Sequence, residues 1–346
     1  MMKKQVSVKD IAKELNISLS TVHKAMTGKG GISEERRKEV LKTAKKMGYQ
    51  VNSVAQTLAR KSINIGIIMP SLWQDYFASM KEGMIEEAEK LRTFKVSASF
   101  YYLSSDITEK EAEKALKWIK DGKIDAIIYC PSIYSMHEAF ATAIKKSKIP
   151  VFIAGDSFDE IESVCEIMPD SILSGKIAAD FLKCIKGNDI KAAVFTGSLS
   201  VKSHREKVMS FSERIKSFGG EISFLNETSD DGEKAYEMAK CLSDSQVNAV
   251  YVTTATFEPV CRYIEENLKD KDIALIATDV PEGILRYMQN GIVKGTIYQN
   301  QEKVGKSAVM TAYEYLVQKS SYGNENFKSP DKISVRPCIY LLSDVE

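Results

Sequence analysis

The chain has 346 residues, 44% hydrophobic and 27% charged, so it is long enough to bury a large core over two or three domains. No apolar run approaches the ~18 residues that a membrane-spanning helix needs, and the N-terminus lacks a secretory signal, so we expect a cytoplasmic protein without a membrane partner. Six cysteines and three histidines are scattered without the spacing of a zinc site or a disulfide framework, so we expect no cofactor.

The net charge of +1 hides a strong asymmetry along the chain. Residues 1–62 contain 14 Lys or Arg and 5 Asp or Glu, a net charge of +9, whereas the remaining residues contain 34 and 42, a net charge of −8. A basic segment on an acidic body indicates a polyanionic partner for that segment. A lysine-rich solvated surface would give the same counts, so the helix pattern has to decide between the two.

Three short helices are predicted within this basic head. Ser7 caps the first helix, with Asp10 three residues later and an apolar stripe that begins at Ile11. A second helix is predicted over about residues 20–26, and Ser33 caps a third. Two short helices joined by so tight a turn match a helix-turn-helix, whose second helix lies in the major groove of DNA. The third helix is expected to pack through Val40, Leu41, Ala44 and Met47.

The head resembles that of LacI/GalR-type transcription regulators. The patterns V-x-D-I-A, S-x-S-T-V, G-K-G-x-[IV]-S-E-x-x-R and G-Y-x-x-N occur in order and at the family spacing. The resemblance implies a hinge helix in NSVAQTLARKS, from which a leucine of each subunit of a dimer enters the minor groove. It implies DNA contacts by Ser7, Leu19, Ser20, Thr21, His23, Lys24, Lys29, Tyr49, Asn52, Gln56 and Leu58.

Two positions of the head depart from the family pattern. Val51 stands where the family usually has proline, and Lys24 stands where it usually has arginine. Lysine supplies a point charge where arginine would bind guanine through two hydrogen bonds. The resemblance therefore implies DNA binding but leaves the operator sequence open.

From Ile63 onward, short β-branched runs alternate with longer amphipathic helices, which is typical of parallel-sheet α/β proteins. The scheme occurs twice, so we expect an α/β core of two similar doubly wound subdomains, like the periplasmic binding proteins that the family's core resembles, preceded by a small all-α helix-turn-helix domain. The expected domains are the head (1–50), the hinge (51–62), an N-terminal subdomain (63–166 with 297–320) and a C-terminal subdomain (167–296 with 321–346).

Candidate ligand-binding residues follow the strands, because ligands of open α/β sheets bind beyond the carboxyl ends of the strands. Tyr76 and Phe77 follow the first strand, with Trp73 and Asp75 close by. Their rings could stack on a sugar or a purine, or they could be core residues at the start of a helix. Both alternatives remain open at this stage.

Polar side chains complete the candidate effector site. Asp279 ends the run IALIATD and matches the family's effector-binding aspartate, or else it caps a following helix. Thr254 follows NAVYV and either binds a ligand or caps the helix that begins near Pro259. The resemblance implies that Gln299 is the amide that bonds sugar hydroxyls.

One basic residue of SHREKVMSF is expected in the cleft. The alignment favours Lys207, with Arg205 as the second choice, because residues two apart on a helix point about 200° apart and do not both face the cleft. Lys207 suggests a ligand with an acidic or phosphorylated group.

The expected function is a homodimeric transcription regulator, a repressor of carbohydrate metabolism or transport genes. It would bind a pseudo-palindromic operator in double-stranded DNA and a small sugar-like effector between the core subdomains. A solute-binding receptor without a DNA function is the alternative. The net charge of +9 on the head argues against it. An enzyme is a third reading, but no catalytic grouping can be argued from the sequence.

Overall fold

The structure, a computed structural model of the chain, describes residues 6–27, 31–47, 62–71, 74–104, 109–131, 138–157, 161–243, 246–322 and 330–345. The head contains the helices α1 (Val8–Glu14), α2 (Leu19–Thr27) and α3 (Glu34–Lys46). Of the helices that the structure describes, none has the length and apolar character needed to cross a membrane.

The three helices of the head bury a small apolar core. Ile11, Val22 and Val40, one from each helix, are fully buried against one another. The predicted cap of α1 is confirmed, because the amide of Ser7 donates to the carboxylate of Asp10 at 2.8 Å and the Asp10 amide donates to the Ser7 hydroxyl at 3.4 Å.

The predicted packing face of α3 is wrong at one position. Leu41 is 40% exposed, whereas Val40 and Ala44 are buried. Consecutive residues of a helix are about 100° apart, so Leu41 lies at the margin of the face that Val40 centres.

The core of the protein consists of two six-stranded sheets with helices between the strands. The strands are β1 (Ile63–Pro70), β2 (Val96–Leu103), β3 (Ala126–Tyr129), β4 (Val151–Ala154), β5 (Cys165–Pro169), β6 (Lys191–Thr196), β7 (Glu221–Glu227), β8 (Ala249–Val252), β9 (Ala274–Thr278), β10 (Val293–Tyr298), β11 (Lys332–Val335) and β12 (Cys338–Tyr340). The helices are α4 (Gln74–Lys90), α5 (Glu109–Asp121), α6 (Glu138–Ser147), α7 (Ser171–Lys186), α8 (Lys202–Ser217), α9 (Gly232–Ala239), α10 (Glu258–Asn267), α11 (Ile284–Gln289), α12 (Gln301–Tyr322) and α13 (Leu342–Val345). Short 3-10 turns cover Leu91–Phe94 and Lys240–Leu242.

The two sheets repeat one topology. The first has the strand order β11-β5-β4-β3-β1-β2 and the second has the order β12-β10-β9-β8-β6-β7. Among the described pairings only β10 with β12 is antiparallel, which confirms the predicted doubly wound α/β core. In each sheet the order reverses beside the first strand of the repeat, β1 or β6, and ligands bind at such a reversal.

The strand β11 differs from its expected place. It pairs with β5 in the first sheet, whereas residues 321–346 were expected in the C-terminal subdomain. The cause is α12, which returns the chain to the first sheet and leaves β5 as the nearest free edge. Of the part of this stretch that the structure describes, β12 and α13 join the second half.

Two helices cross in backbone contact on the first sheet. A Cβ atom added to Gly83 of α4 would overlap the carbonyl oxygen of Glu302, and one added to Gly305 of α12 would overlap that of Met80. Glycine is therefore required on both sides of the crossing, because any side chain would force the helices apart.

We expect Gly305→Ala to lower the free energy of unfolding by about 1–3 kcal/mol, since it overpacks this crossing. In an unobstructed helix the same substitution would raise stability by roughly 0.5–1 kcal/mol. The sign of the change in the free energy of unfolding therefore shows whether the crossing leaves no room for a side chain. Urea unfolding followed by circular dichroism measures it. Glu82→Ala, on the exposed face of α4, is the control and should change stability by less than about 0.5 kcal/mol. Equal stabilities of the two variants would contradict the prediction.

Candidate functional site

A cavity of about 120 Å³ lies between the two sheets, at the carboxyl ends of their strands. Such a volume suits a small molecule. The first half lines it with Tyr76, Phe77, Pro131, Gly155, Asp156 and Pro169. The second half lines it with His204, Lys207, Asp230, Thr254, Asp279 and Gln299, among others. Six of the predicted effector-binding residues therefore lie together.

Tyr76 and Phe77 form an aromatic side of the cavity. Their ring centroids are 5.1 Å apart and the rings meet edge to face at 89°. Phe77 is 8% exposed and packs in the core of the first sheet, so the core interpretation of this residue is confirmed, while stacking on a ligand stays a prediction. Burial and the nearby carboxylates of Asp279 and Asp156 raise the pKa of Tyr76, which keeps its phenol protonated as a donor.

Asp279 follows β9 in the left-handed region, with a φ of 65° that aspartate tolerates. Its buried carboxylate accepts from the amide nitrogen of Gln299 at 2.9 and 3.1 Å and from that of Gln301. Burial raises the pKa of Asp279, and Lys207 and the two amides oppose the shift. The helix α11 begins after Gly283 without a side-chain cap, so the helix-cap alternative for Asp279 is wrong.

Lys207 reaches the cavity from α8 and is 3% exposed. Its ammonium donates to the carbonyl oxygen of Thr253 at 3.1 Å, which is its one hydrogen bond to the described residues. An ammonium has three N–H donors, so two remain for a ligand. Burial lowers the pKa of Lys207, while three nearby carboxylates oppose the shift: Asp279, Asp156 and Asp230.

The prediction of Arg205 as the second choice for the basic cleft residue is wrong. Its side chain is exposed, and its guanidinium donates to the carbonyl oxygens of Leu199 at 2.8 Å and Ser200 at 3.3 Å. The helix turns by about 200° between positions 205 and 207, so it directs only Lys207 into the cavity.

Thr254 is 9% exposed in the cavity wall, and its hydroxyl oxygen lies 2.8 Å from that of Thr256. The helix α10 begins after Phe257 without a side-chain cap, so the cap interpretation of Thr254 is wrong.

Trp73 lies outside the described residues, as does the side chain of Asp75, and both stay predictions.

Sequence reasoning missed Asp156, Asp230 and His204. Asp156 follows β4 and Asp230 follows β7, so the strand-end rule that located Asp279 would have indicated both. Asp156 accepts from the hydroxyl of Ser203 at 2.6 Å, and this bond joins the first half of the core to the second.

His204 is a neutral, buried side chain beside Lys207. It is 6% exposed, and its Nδ1 donates to the carbonyl oxygen of Ser198 at 3.2 Å, because a carbonyl only accepts. Burial, with a smaller contribution from Lys207, lowers the pKa of His204 to about 3. The other ring nitrogen, Nε2, is therefore an acceptor at neutral pH.

In the head, α2 presents the surface expected of a recognition helix. Leu19, Ser20 and His23 are exposed, whereas Val22 and Ala25 are buried.

Thr21 and Lys24 are half-buried at the edge of that surface, and the Ser7 hydroxyl donates to Asp10 at 2.6 Å. The remaining predicted DNA contacts, Lys29, Tyr49, Asn52, Gln56 and Leu58, lie outside the described residues.

Two parts of the sequence match known families. Residues 65–320 match the family described as "Periplasmic binding protein domain", which covers most of the core. Residues 7–52 match the family described as "Bacterial regulatory proteins, lacI family", which covers the head.

Similar proteins include named bacterial regulators and a solved sugar-binding protein. The HTH-type transcriptional regulator pepR1 of Lactobacillus delbrueckii subsp. lactis is 29% identical over 163 residues, 47% of either chain. Catabolite control protein A of Priestia megaterium is 27% identical over 258 residues, 72% of this chain and 74% of its own. The solved structure of AraP, an arabinose binding protein from Geobacillus stearothermophilus, matches with a TM-score of 0.71 and 17% identity over 82% of this chain and 98% of AraP. At that identity the match shows a shared fold.

We expect acid to destabilise the protein through His204. Its pKa is about 3 in the folded chain, against 6.5 for an unperturbed histidine, so between these values the unfolded chain binds a proton that the folded chain does not. Stability is therefore lost as the pH falls below 6.5, by about 2 kcal/mol at pH 5.

His204→Asn keeps a donor for Ser198 and removes this titration. Urea unfolding at pH 7 and pH 5 should show a smaller loss for the variant, because all other titrating groups are common to both proteins. An identical pH dependence of the two proteins would rule out the burial-shifted histidine.

Proposed function

We propose that the chain, which belongs to the periplasmic binding protein domain family over residues 65–320 and has a lacI-family head at residues 7–52, is a transcription regulator controlled by a small polar effector. The observation that carries the proposal is a basic helix-turn-helix head on a core whose two halves line a cavity with charged and aromatic side chains. The names of pepR1 and catabolite control protein A support regulation, and AraP supports a sugar-like effector and carbohydrate genes.

DNA binding would rest on α2 and on the charge of the head. The exposed side chains of α2 would face base edges in the major groove, and the net charge of +9 would displace counterions from the phosphates. By resemblance, Leu58 of the hinge would enter the minor groove and bend the duplex. Such a role requires access to the chromosome, so we infer a cytoplasmic location.

Effector control would act through the gap between the halves of the core. Both halves line the cavity, and the bond from Ser203 to Asp156 crosses the gap. A ligand that binds both walls would favour one relative orientation of the halves over others. In a dimer that change would move the heads relative to each other and alter operator affinity.

A homodimer would supply the second recognition helix that a pseudo-palindromic operator requires. Both repeats expose large apolar side chains on the same pair of elements, the helix after the first strand and the edge strand. Ile85 on α4 and Tyr102 on β2 are 46% and 45% exposed, and Met209 on α8 and Leu225 on β7 are 54% and 48% exposed. A second copy of the chain would cover this repeated surface.

The alternative is a solute receptor without a DNA function, which the core alone would fit. The lacI-type head and its charge favour the regulator over that alternative. The names of the relatives are those of regulators, which supports a non-catalytic role.

Lys24→Ala should weaken binding to a duplex from upstream of the protein's own gene. Loss of one groove contact costs about 1–3 kcal/mol, or roughly tenfold to a hundredfold in affinity. A gel-shift titration at fixed salt measures it. Lys42→Ala, an exposed lysine on α3, removes the same charge from the head and is the control. If both variants lose the same small amount, α2 is not the recognition helix, and if the wild type binds no such DNA the regulator proposal fails.

Ile85→Asp should convert the dimer to a monomer and reduce operator affinity by more than about tenfold, since it places a carboxylate in the apolar contact. Sedimentation velocity and gel shift report the two effects. Leu341→Asp is the matched control, because Leu341 is 42% exposed but follows β12, at the edge of the second sheet opposite β7. A monomeric wild type with full operator affinity would contradict the dimer.

A further inference from the structure

The cavity contains more negative than positive charge. Among the described residues that line it, Asp156, Asp230 and Asp279 are carboxylates, and Lys207 is the one ammonium. His204 does not change this balance, because burial keeps its pKa at about 3 and the ring neutral. Ion pairing inside the cavity therefore leaves two carboxylates without a compensating cation.

The three carboxylates are unequally satisfied by the protein. Asp279 accepts from the amides of Gln299 and Gln301. Asp156 accepts from the Ser203 hydroxyl at 2.6 Å and from the Ser157 amide at 2.7 Å.

Asp230, by contrast, has its charged form favoured by one polar side chain among the described residues, that of Thr254, which lowers its pKa. A carboxylate offers about four acceptor positions, so Asp230 has the most unused capacity of the three. Burial raises the pKa of Asp230, while Thr254 and Lys207 oppose the shift without cancelling it, so the charged form of Asp230 is incompletely stabilised.

Lys207 does not make the cavity a site for anions. The three carboxylates all favour the charged form of its ammonium, and their combined negative charge exceeds the single positive charge of Lys207. A phosphorylated or acidic ligand would gain one attraction and meet three repulsions in a region of low dielectric. The expectation of an acidic group, drawn from Lys207 alone, is reversed once its neighbours are known.

We propose that the effector carries a protonated amino group, bound at Asp230, together with hydroxyl groups that face Asp279 and Lys207. The amino group donates to the free acceptor positions of Asp230 and supplies part of the missing positive charge. The aromatic side formed by Tyr76 and Phe77 accommodates the apolar face of the same molecule. A metal ion does not fit, because the described carboxylates are not grouped closely enough to hold one. This inference rests on the proposed function in taking the cavity as the effector site.

Matched probes that differ only in charge test the inference with the full-length protein. The sets are D-glucosamine, D-glucose and D-glucose 6-phosphate, the corresponding galactose compounds, and 2-aminoethanol against ethane-1,2-diol. Thermal shift and calorimetry at pH 7 should show that in at least one set the amine binds about tenfold more tightly than its neutral partner. The phosphates should not bind. Neutral or phosphorylated members that bind as tightly as the amines, or no binding by any amine, would overturn the inference.

Asp230→Asn locates the amino group. Asparagine tolerates the left-handed backbone of this position, where φ is 59°, and it keeps an acceptor for Thr254 while removing the charge. The variant should lose the preference for the amine, whereas Asp270→Asn, an exposed aspartate, should retain it. A cooperative melting transition verifies that each variant is folded. Retention of the preference by a folded Asp230→Asn protein would overturn the assignment.

The same probes separate this inference from the regulator itself. A neutral sugar that changes DNA affinity in the gel shift, with no effect of the amines, would overturn the inference and support the regulator. Amine binding by a protein that binds no upstream DNA would support the inference and overturn the regulator proposal.

Discussion

The structure depends on how charged groups are stabilised in the gap between the two sheets. A buried ammonium or carboxylate is costly unless it has partners, and Lys207 has them in the backbone carbonyl of Thr253 and three surrounding carboxylates. The position of Lys207 is set in turn by packing, because Gly175 lets α7 contact the backbone of α8 at Lys207 itself. Helix packing in the second half thus determines where the one cation of the described cavity wall lies, and the carboxylates around it determine what it does.

Residues around the same gap connect the two halves of the core. Its walls come from strand ends of both sheets, and the hydrogen bond from Ser203 to Asp156 crosses it directly. The helix α12 carries the chain back to the first sheet right after Gln299, so a residue of the cavity and the connection between the halves are adjacent in sequence. A ligand in the cavity therefore contacts the elements that relate the two halves, and this is the arrangement that control of a regulator by a small molecule requires.

Much of this could be predicted from the sequence, because the signals were local. Alternation of strands and helices indicated the fold, and the strand-end rule found Tyr76 and Asp279. Asp156 and Asp230 were missed because a carboxylate in a polar loop looks like any solvated residue until the fold brings it into the gap between the sheets. The choice between Arg205 and Lys207 required the phase of a helix, and the pairing of β11 required knowing which edge α12 leaves free. These are tertiary properties that no local pattern contains.

Family membership indicates where the molecule would bind its partners and leaves open what those partners are. On the proposed function α2 would lie in a major groove, where Lys24, in place of the usual arginine, could not form the paired hydrogen bonds that select guanine. In the same way, the core places a cavity where related folds bind sugars, yet three carboxylates against one ammonium change the charge that a ligand must bring. Both effects arise from a few side chains, whereas the core shares its fold with known binding proteins. Specificity in this protein therefore has to be inferred from its own residues and their electrostatic surroundings.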